Sequence, residues 1–375
     1  MSEQPKTTPG EAIKAELSRL GWTHDDLARI MGKYRPEITT IISGKRNITP
    51  ELAIELAAAI PGTTAEYWLD LEASRQLSLL PHDPADIKHR LRMYQLGPIR
   101  EMENRGWIKQ SENASVIESE LKTFFEIVSI DEEPRIGAAT RKSDIGEPLT
   151  HSQRAWCFRV RQLAKAQIVA EYREEFLPQC IQELRKLAAY PQEIYKVPSV
   201  LAKYGIRFAI VAPLQSSKVD GVAMWLDQKS PVIGMSLRHD RMDSFWFTLC
   251  HEIAHLKHQD EAPLDSAIVD QMDSMMVVKD EMERRADDEA ASMLIPKDEM
   301  DSFVLRVGPL YAKDRIIRFA HRVKIHPAII VGQLQHRKEI GYSANREMLA
   351  KIRHVLAPAA IVDGWGYSID PRSFQ

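Results

Sequence analysis

The chain has 375 residues, enough for two or three domains with cores of their own. Its charged fraction of 27% and hydrophobic fraction of 44% are those of a globular protein. Its net charge of −3 excludes a generally basic nucleic-acid binder but leaves room for one local DNA-reading patch.

Residues 10–79 are dense in short helical signals. "GEAIKAELSRLGW" is one amphipathic helix. Thr23 suits the N-cap of "HDDLARIMG", which Gly32 closes. Pro36 fits the first turn of a third helix, "PEITTIISG", ending at Gly44. Thr49 with Pro50 opens "PELAIELAAAI", Pro61-Gly62 stops it, and Thr64 caps "AEYWLDLEASRQL". The tight step from Gly32 to Pro36 has helix-turn-helix spacing. In the third helix Ile38, Ile41 and Ile42 should turn inward. Arg35, Glu37, Thr39 and Thr40 are then left for the major groove, and Lys33, Lys45 and Arg46 suit phosphate contacts. Glu37 is discordant, since a carboxylate there accepts only from a cytosine amine and otherwise repels DNA.

"LLPHDPAD" (79–86) reads as a linker. Residues 87–194 read as mostly helical, with "VIESELKTFFEIV" and "RQLAKAQIVAEYREEFLPQCIQELRKLAAY" separated by the loop "DEEPRIGAATRKSDIGEP". From residue 198, "IRFAIVAPL", "GVAMWLD" and "PVIGMSL" read as a small sheet. Helices follow in "FTLCHEIAHLKH", "DEMERRADDEAASMLI", "KDRIIRFAHRVK" and "HPAIIVGQLQHRKE", with one more over "NREMLAKIRHVL". The expected fold class is α+β, mostly α. It comprises an N-terminal all-α bundle (1–80), a helical middle region (81–194), a C-terminal domain with a small sheet (195–340) and an extension (341–375).

The three cysteines, Cys157, Cys180 and Cys250, form no CxxC pair, no leader-like segment opens the chain, and no apolar run could span a bilayer. A cytoplasmic protein is expected, and Cys250 reads as a small buried residue.

His251-Glu252-Ile253-Ala254-His255 fits HExxH. Positions i and i+4 share a helix face, so both imidazoles can reach one metal. Glu252 lies about 100° round from His251, beside the metal, where it can hold the water that zinc activates. A catalytic zinc needs a third protein ligand. Glu283 offers one from a second helix whose Ala286, Ala290, Leu294 and Ile295 recur at helical spacing. His239 and His258 are nearby candidates for oxyanion contacts, while His321, His326 and His336 repeat no ligand face.

"GVAMWLDQKSPVIGMSLRHDRMDSFWFTLCHEIAHLKH" followed by "ERRADDEAASMLIP" resembles the ImmA/IrrE family of zinc-dependent metallopeptidases over roughly 195–340. The resemblance implies a zincin-like domain, with His251, His255 and Glu283 as zinc ligands and Glu252 as general base. Asp287 stands where that family usually has Asn, and Glu289 where it usually has an aromatic residue. "GWTHDDLARIMGKYRPEITTIISGKRNITPELAIELAAAIPGTTAEYWLDL" resembles the Cro/C1-type family and, within it, the HigA-like antitoxins. That resemblance implies binding to double-stranded operator DNA as a homodimer.

The two resemblances together imply a DNA-binding regulator fused to a zinc endopeptidase. Its expected protein substrate is a repressor or a toxin–antitoxin partner. The alternative is an antitoxin-like repressor whose zinc domain senses or binds a partner without proteolysis. A purely structural zinc site is disfavoured by Glu252, because such a site needs no base beside an open position.

Overall fold

A computed structural model describes residues 7–79, 84–136, 149–215, 217–259 and 281–366. Most of the loop expected over 131–148, and part of the linker expected over 79–86, lie outside these residues. The chain divides into two compact units, Met1–Lys88 and His89–Gln375. Among the described residues there are 17 α-helices and one four-stranded sheet, a mostly α, α+β architecture.

The first unit holds α1 (Pro9–Leu20), α2 (His24–Ile30), α3 (Arg35–Ile42), α4 (Pro50–Ala59) and α5 (Ala65–Leu79). Thr8, Thr23 and Thr49 cap α1, α2 and α4 through their hydroxyls. A cap of this kind contributes roughly 1 kcal/mol. Gly32, at φ +62°, ends the α2 turn in the left-handed region that disfavours a side chain. At Gly10 a Cβ would stand 1.9 Å from the carbonyl oxygen of Ile42, so α1 can lie against the end of α3 only without one. Ile13, Leu27, Ile38, Leu56 and Trp68 close the core, and Trp68 donates from Nε1 to Thr63 Oγ1 at 3.0 Å.

The second unit is built on a sheet of order β2-β3-β1-β4. Its strands are β1 (Arg207–Val211), β2 (Gly221–Trp225), β3 (Pro231–Met235) and β4 (Ile361–Asp363). β1 runs parallel to β3 and β4, and β2 runs antiparallel along β3. Side chains alternate between two cores. Phe208, Ile210 and Ile233 join one, and Ala209, Val211 and Val232 join the other. Both faces are therefore covered, which explains why β3 is buried at every position.

The middle region supplies one cover. It contains α6 (Ala85–Leu96, which crosses the unit boundary), α7 (Ile99–Asn104), α8 (Ala114–Phe125) and α9 (His151–Lys165). Trp156 of α9 donates to the carbonyl of Val211 at 2.9 Å. Asp363 of β4 is held by the buried Arg159 and by Trp107 Nε1 at 3.1 Å. The opposite cover comprises α10 (Leu177–Leu187), α11 (Val197–Lys203), α12 (Met242–His258), α13 (Glu281–Leu294), α14 (Lys297–Val307), α15 (Lys313–Val323), α16 (Pro327–His336) and α17 (Arg353–Leu356).

Two expected helices are corrected. Residues 161–190 do not form one run, because α9 stops at Lys165. Beyond it, Gln167 exchanges hydrogen bonds with the backbone of Phe208 and Ala170 donates to Ala202, so this stretch serves the sheet instead. "NREMLAKIRHVL" is also not one helix. Ala350 accepts from Met242, and Asp240 accepts from the amides of Ile352 and Arg353 at 3.0 and 2.7 Å. Those backbone groups are spent on tertiary contacts and are lost to helix hydrogen bonding.

Candidate metal centre and nucleic-acid surface

The HExxH helix α12 is buried on nearly all sides from Met242 to Leu256. Phe245 and Trp246 are almost fully buried and anchor it. Each such side chain contributes about 1.5–3 kcal/mol by leaving water. His251, Glu252 and His255 are at most 1% exposed.

The Nε2 atoms of His251 and His255 lie 2.9 Å apart. Glu283, in the first turn of α13, places Oε2 3.3 Å from His251 Nε2 and Oε1 3.6 Å from His255 Nε2. These three residues form a group able to hold a metal ion. Two ligand atoms about 2.0–2.1 Å from a tetrahedral zinc stand about 3.3 Å apart, so the three separations fit such an ion. The donor chemistry fits as well. His251 Nδ1 lies 3.1 Å from Asp287 Oδ1, which assigns the proton to Nδ1 and leaves the Nε2 lone pair facing a carboxylate. Two acceptors facing each other in a buried site call for a cation.

In the sequence alone Asp287 is only a departure from a motif. Its spacing of four from Glu283 would have placed it on the same helix face. Gly221 is a second residue whose part was not legible. A Cβ there would stand 2.5 Å from Glu252 Oε1 and 2.7 Å from Thr248 Cγ2, so β2 lies against the glutamate only because position 221 is glycine.

Glu289 bridges α13 to the end of α12, accepting from Lys257 Nζ at 2.8 Å and pairing with His258 Nε2 at 2.6 Å. Burial raises the carboxyl's pKa, but the hydrogen bonds from Lys257 and His258 outweigh it and hold it below the ordinary value. His258 is thus engaged away from the triangle. His239 lies 4.0 Å from Asp220. His326 caps α16 by accepting from the amide of Ala328 at 3.1 Å, and burial lowers its pKa. Cys250 is buried, and burial pushes its thiol up to about 12, which removes it from thiolate chemistry at neutral pH.

One helical turn before His251, a cavity of about 80 Å³ is lined by Arg241, Asp243, Phe247, Gln335, His336 and Tyr342, among others. Arg241 holds Asp243 in a two-pronged ion pair at 3.1 and 2.6 Å and also donates to Gln335 at 3.1 Å. Phe247 links cavity and triangle, its ring centroid being 6.3 Å from that of His251.

In the first unit Ile38, Ile41 and Ile42 are buried, while Arg35, Thr39, Lys45 and Arg46 are exposed. Thr40 is half-buried, its hydroxyl donating to Glu37 O at 2.7 Å, and the Thr39 hydroxyl donates to Arg35 O at 3.0 Å. Glu37 accepts from the Tyr34 amide at 3.2 Å and pairs with Arg46, beyond the end of α3, at 3.3 Å, so its charge is partly neutralised within the first unit. Lys33 is turned to Glu55 of α4 at 2.8 Å, leaving it less available to a phosphate than Lys45. Arg35 lies 3.5 Å from Asp25. Tyr34 stands at the entrance of α3 with 80% of its surface exposed, and sequence reasoning passed it over.

Known proteins place both units. A family model described as helix-turn-helix matches residues 13–68, and a peptidase-family model described as the IrrE N-terminal-like domain matches residues 203–331. Virulence-associated protein A' of Dichelobacter nodosus is 35% identical over 78 residues, which are 21% of this chain and 68% of that protein. The uncharacterized HTH-type transcriptional regulators YbaQ and YddM of Escherichia coli K12 are 33% and 31% identical over 72 and 78 residues. These stretches are 19% and 21% of this chain, and 63% and 80% of the relatives. No helix among the described residues is long and apolar enough to cross a membrane. The chain belongs to the helix-turn-helix regulators through residues 13–68, and its residues 203–331 match the IrrE N-terminal-like domain of a peptidase family.

Proposed function

We propose that the second unit is a zinc-dependent endopeptidase acting on a regulatory protein, a repressor or a toxin–antitoxin partner. The first unit reads operator DNA as a homodimer in the cytoplasm. The observation that carries this reading is the triangle of the buried His251 and His255 with the half-buried Glu283, and Asp287 behind it.

His251, His255 and Glu283 would hold the zinc. When bound, zinc supplies a Lewis acid that polarises a peptide carbonyl and makes water a nucleophile near neutral pH. Asp287 accepts the Nδ1 proton of His251 and keeps its Nε2 lone pair for ligation. Glu252 takes a proton from the attacking water onto its carboxylate and returns it to the leaving amine. Its burial against Gly221 keeps the carboxylate in one place. The cavity beside Phe247 receives a substrate side chain, and the Arg241–Asp243–Gln335 network sets its shape.

In the first unit Arg35, Thr39 and Thr40 face the groove, and Lys45, Arg46 and Tyr34 contact phosphates. Glu37 positions Arg46 and the start of α3, and Lys33 supports α4. Two protomers take two half-sites one helical turn apart.

The test is Glu252→Gln, assayed against proteins encoded beside this one. The variant should hold as much zinc as the wild type and cleave the substrate more slowly by on the order of 10²–10⁴. Wild-type cleavage by the variant would refute the assignment of the base. A wild-type chain that carries zinc and cleaves none of these proteins would favour a regulator that senses its partner.

A further inference from the structure

An open groove of about 450 Å³ lies between α14 and α15, away from the triangle's residues. Every charged side chain lining it is an arginine: Arg306 from α14, and Arg315, Arg318 and Arg322 from α15. The floor is apolar, where the rings of Phe303 and Phe319 stack at 4.2 Å and are themselves buried. Arg318 pairs with Asp314 and Arg322 with Glu299, but neither carboxylate lines the groove. Arg306 donates to the Ser302 carbonyl in its own helix. The Arg315 guanidinium makes no ion pair or hydrogen bond among the described residues. Four arginines thus line one groove in a chain of net charge −3.

We infer that this groove binds the phosphodiester backbone of a nucleic acid, giving the chain a second DNA contact outside its helix-turn-helix unit. Three features favour that ligand. The first is spacing. Arg315 and Arg322 are seven residues apart, about 10 Å along a helix at about 1.5 Å per residue. Three nucleotides of one duplex strand, at about 3.4 Å each, cover the same length. The second is residue type. Guanidinium groups bind phosphate oxygens in pairs, and lysine does not. The third is the floor. Phe303 and Phe319 are too deep to stack on bases, which suits a contact that reads charge and not sequence.

The experiment uses the full-length zinc-loaded chain and a labelled 30-base-pair duplex of random sequence, titrated between 50 and 300 mM salt. Arg315→Ala and the double variant Arg315→Glu/Arg322→Glu are compared with wild type. Unchanged zinc content and melting temperature for Arg315→Ala show that it remains folded. The double variant should bind about tenfold more weakly at 0.1 M salt, and its slope of log affinity against log salt should fall by about 2, at about 0.9 per phosphate contact. Arg315→Ala should lower the slope by about 1. Slopes equal to wild type would overturn the inference. So would a polyglutamate peptide that binds the wild-type chain more tightly than the duplex and loses its binding in the same variants.

Discussion

His251 Nδ1 and Asp287 Oδ1 lie 3.1 Å apart, joining the first histidine of the HExxH helix to the helix that carries Glu283. One carboxylate thereby sets the tautomer of an imidazole that faces Glu283 and braces two helices against each other. Removing such a partner typically weakens metal binding by about 10–100-fold. Asp287→Ala should show that loss in chelator competition, and Asp287→Asn should recover part of it, since an amide oxygen still accepts from Nδ1. Equal zinc affinity in wild type and Asp287→Ala would show that the contact does not support ligation.

Gly221→Ala probes the same centre from the sheet side. The added methyl would meet Glu252 Oε1 at 2.5 Å, and the carboxylate must move. A displacement of about 1 Å costs on the order of 10² in rate. The variant should keep its zinc and lose about that much activity in a peptide-cleavage assay. Wild-type turnover would mean that the position of Glu252 is not held by β2.

The α16 cap gives a pH signature. Burial lowers the pKa of His326 below the ordinary 6.5, so the folded chain binds this proton less readily than the unfolded chain does. The resulting stability is fully present above about pH 6.5 and is lost as pH falls towards the lower folded value. Asn caps helices without titrating. Melting temperatures from pH 7.5 to 5 should therefore fall less steeply for His326→Asn than for wild type. Parallel curves would remove His326 as a source of acid sensitivity.

At the first unit, Arg35→Ala should weaken operator binding by about 1–3 kcal/mol. Tyr34→Ala should weaken operator and random duplex alike. Both should leave zinc content unchanged. An Arg35→Ala variant that binds its operator with wild-type affinity, measured by fluorescence anisotropy, would move the reading surface away from α3.

These positions also show what the sequence could convey. Local signals were legible because their physics is local. Thr23 before "HDDL", Gly32 and Pro36 mark caps and turns within a few residues, and the helices of the first unit lie where these signals put them. The apolar period of four in Ala286, Ala290 and Leu294 marked the buried face of α13. What escaped depends on distant partners. β4 is three residues long and exists because β1 pairs with it and Arg159 holds Asp363. The helical period of 161–190 is real, yet Gln167 and Ala170 give their hydrogen bonds to chain about 30–40 residues away. Glu37 looked repulsive to DNA because its ion pair with Arg46 spans a turn that no period reveals.

The central claim is that His251, His255 and Glu283 hold one zinc ion. The most direct measurement is the zinc content of the purified chain by elemental analysis, beside His255→Ala and Glu252→Gln prepared identically. Wild type and Glu252→Gln should each carry one zinc per chain, and His255→Ala almost none. A wild-type chain without zinc, or a His255→Ala chain with a full complement of it, would show that these three residues do not hold the ion.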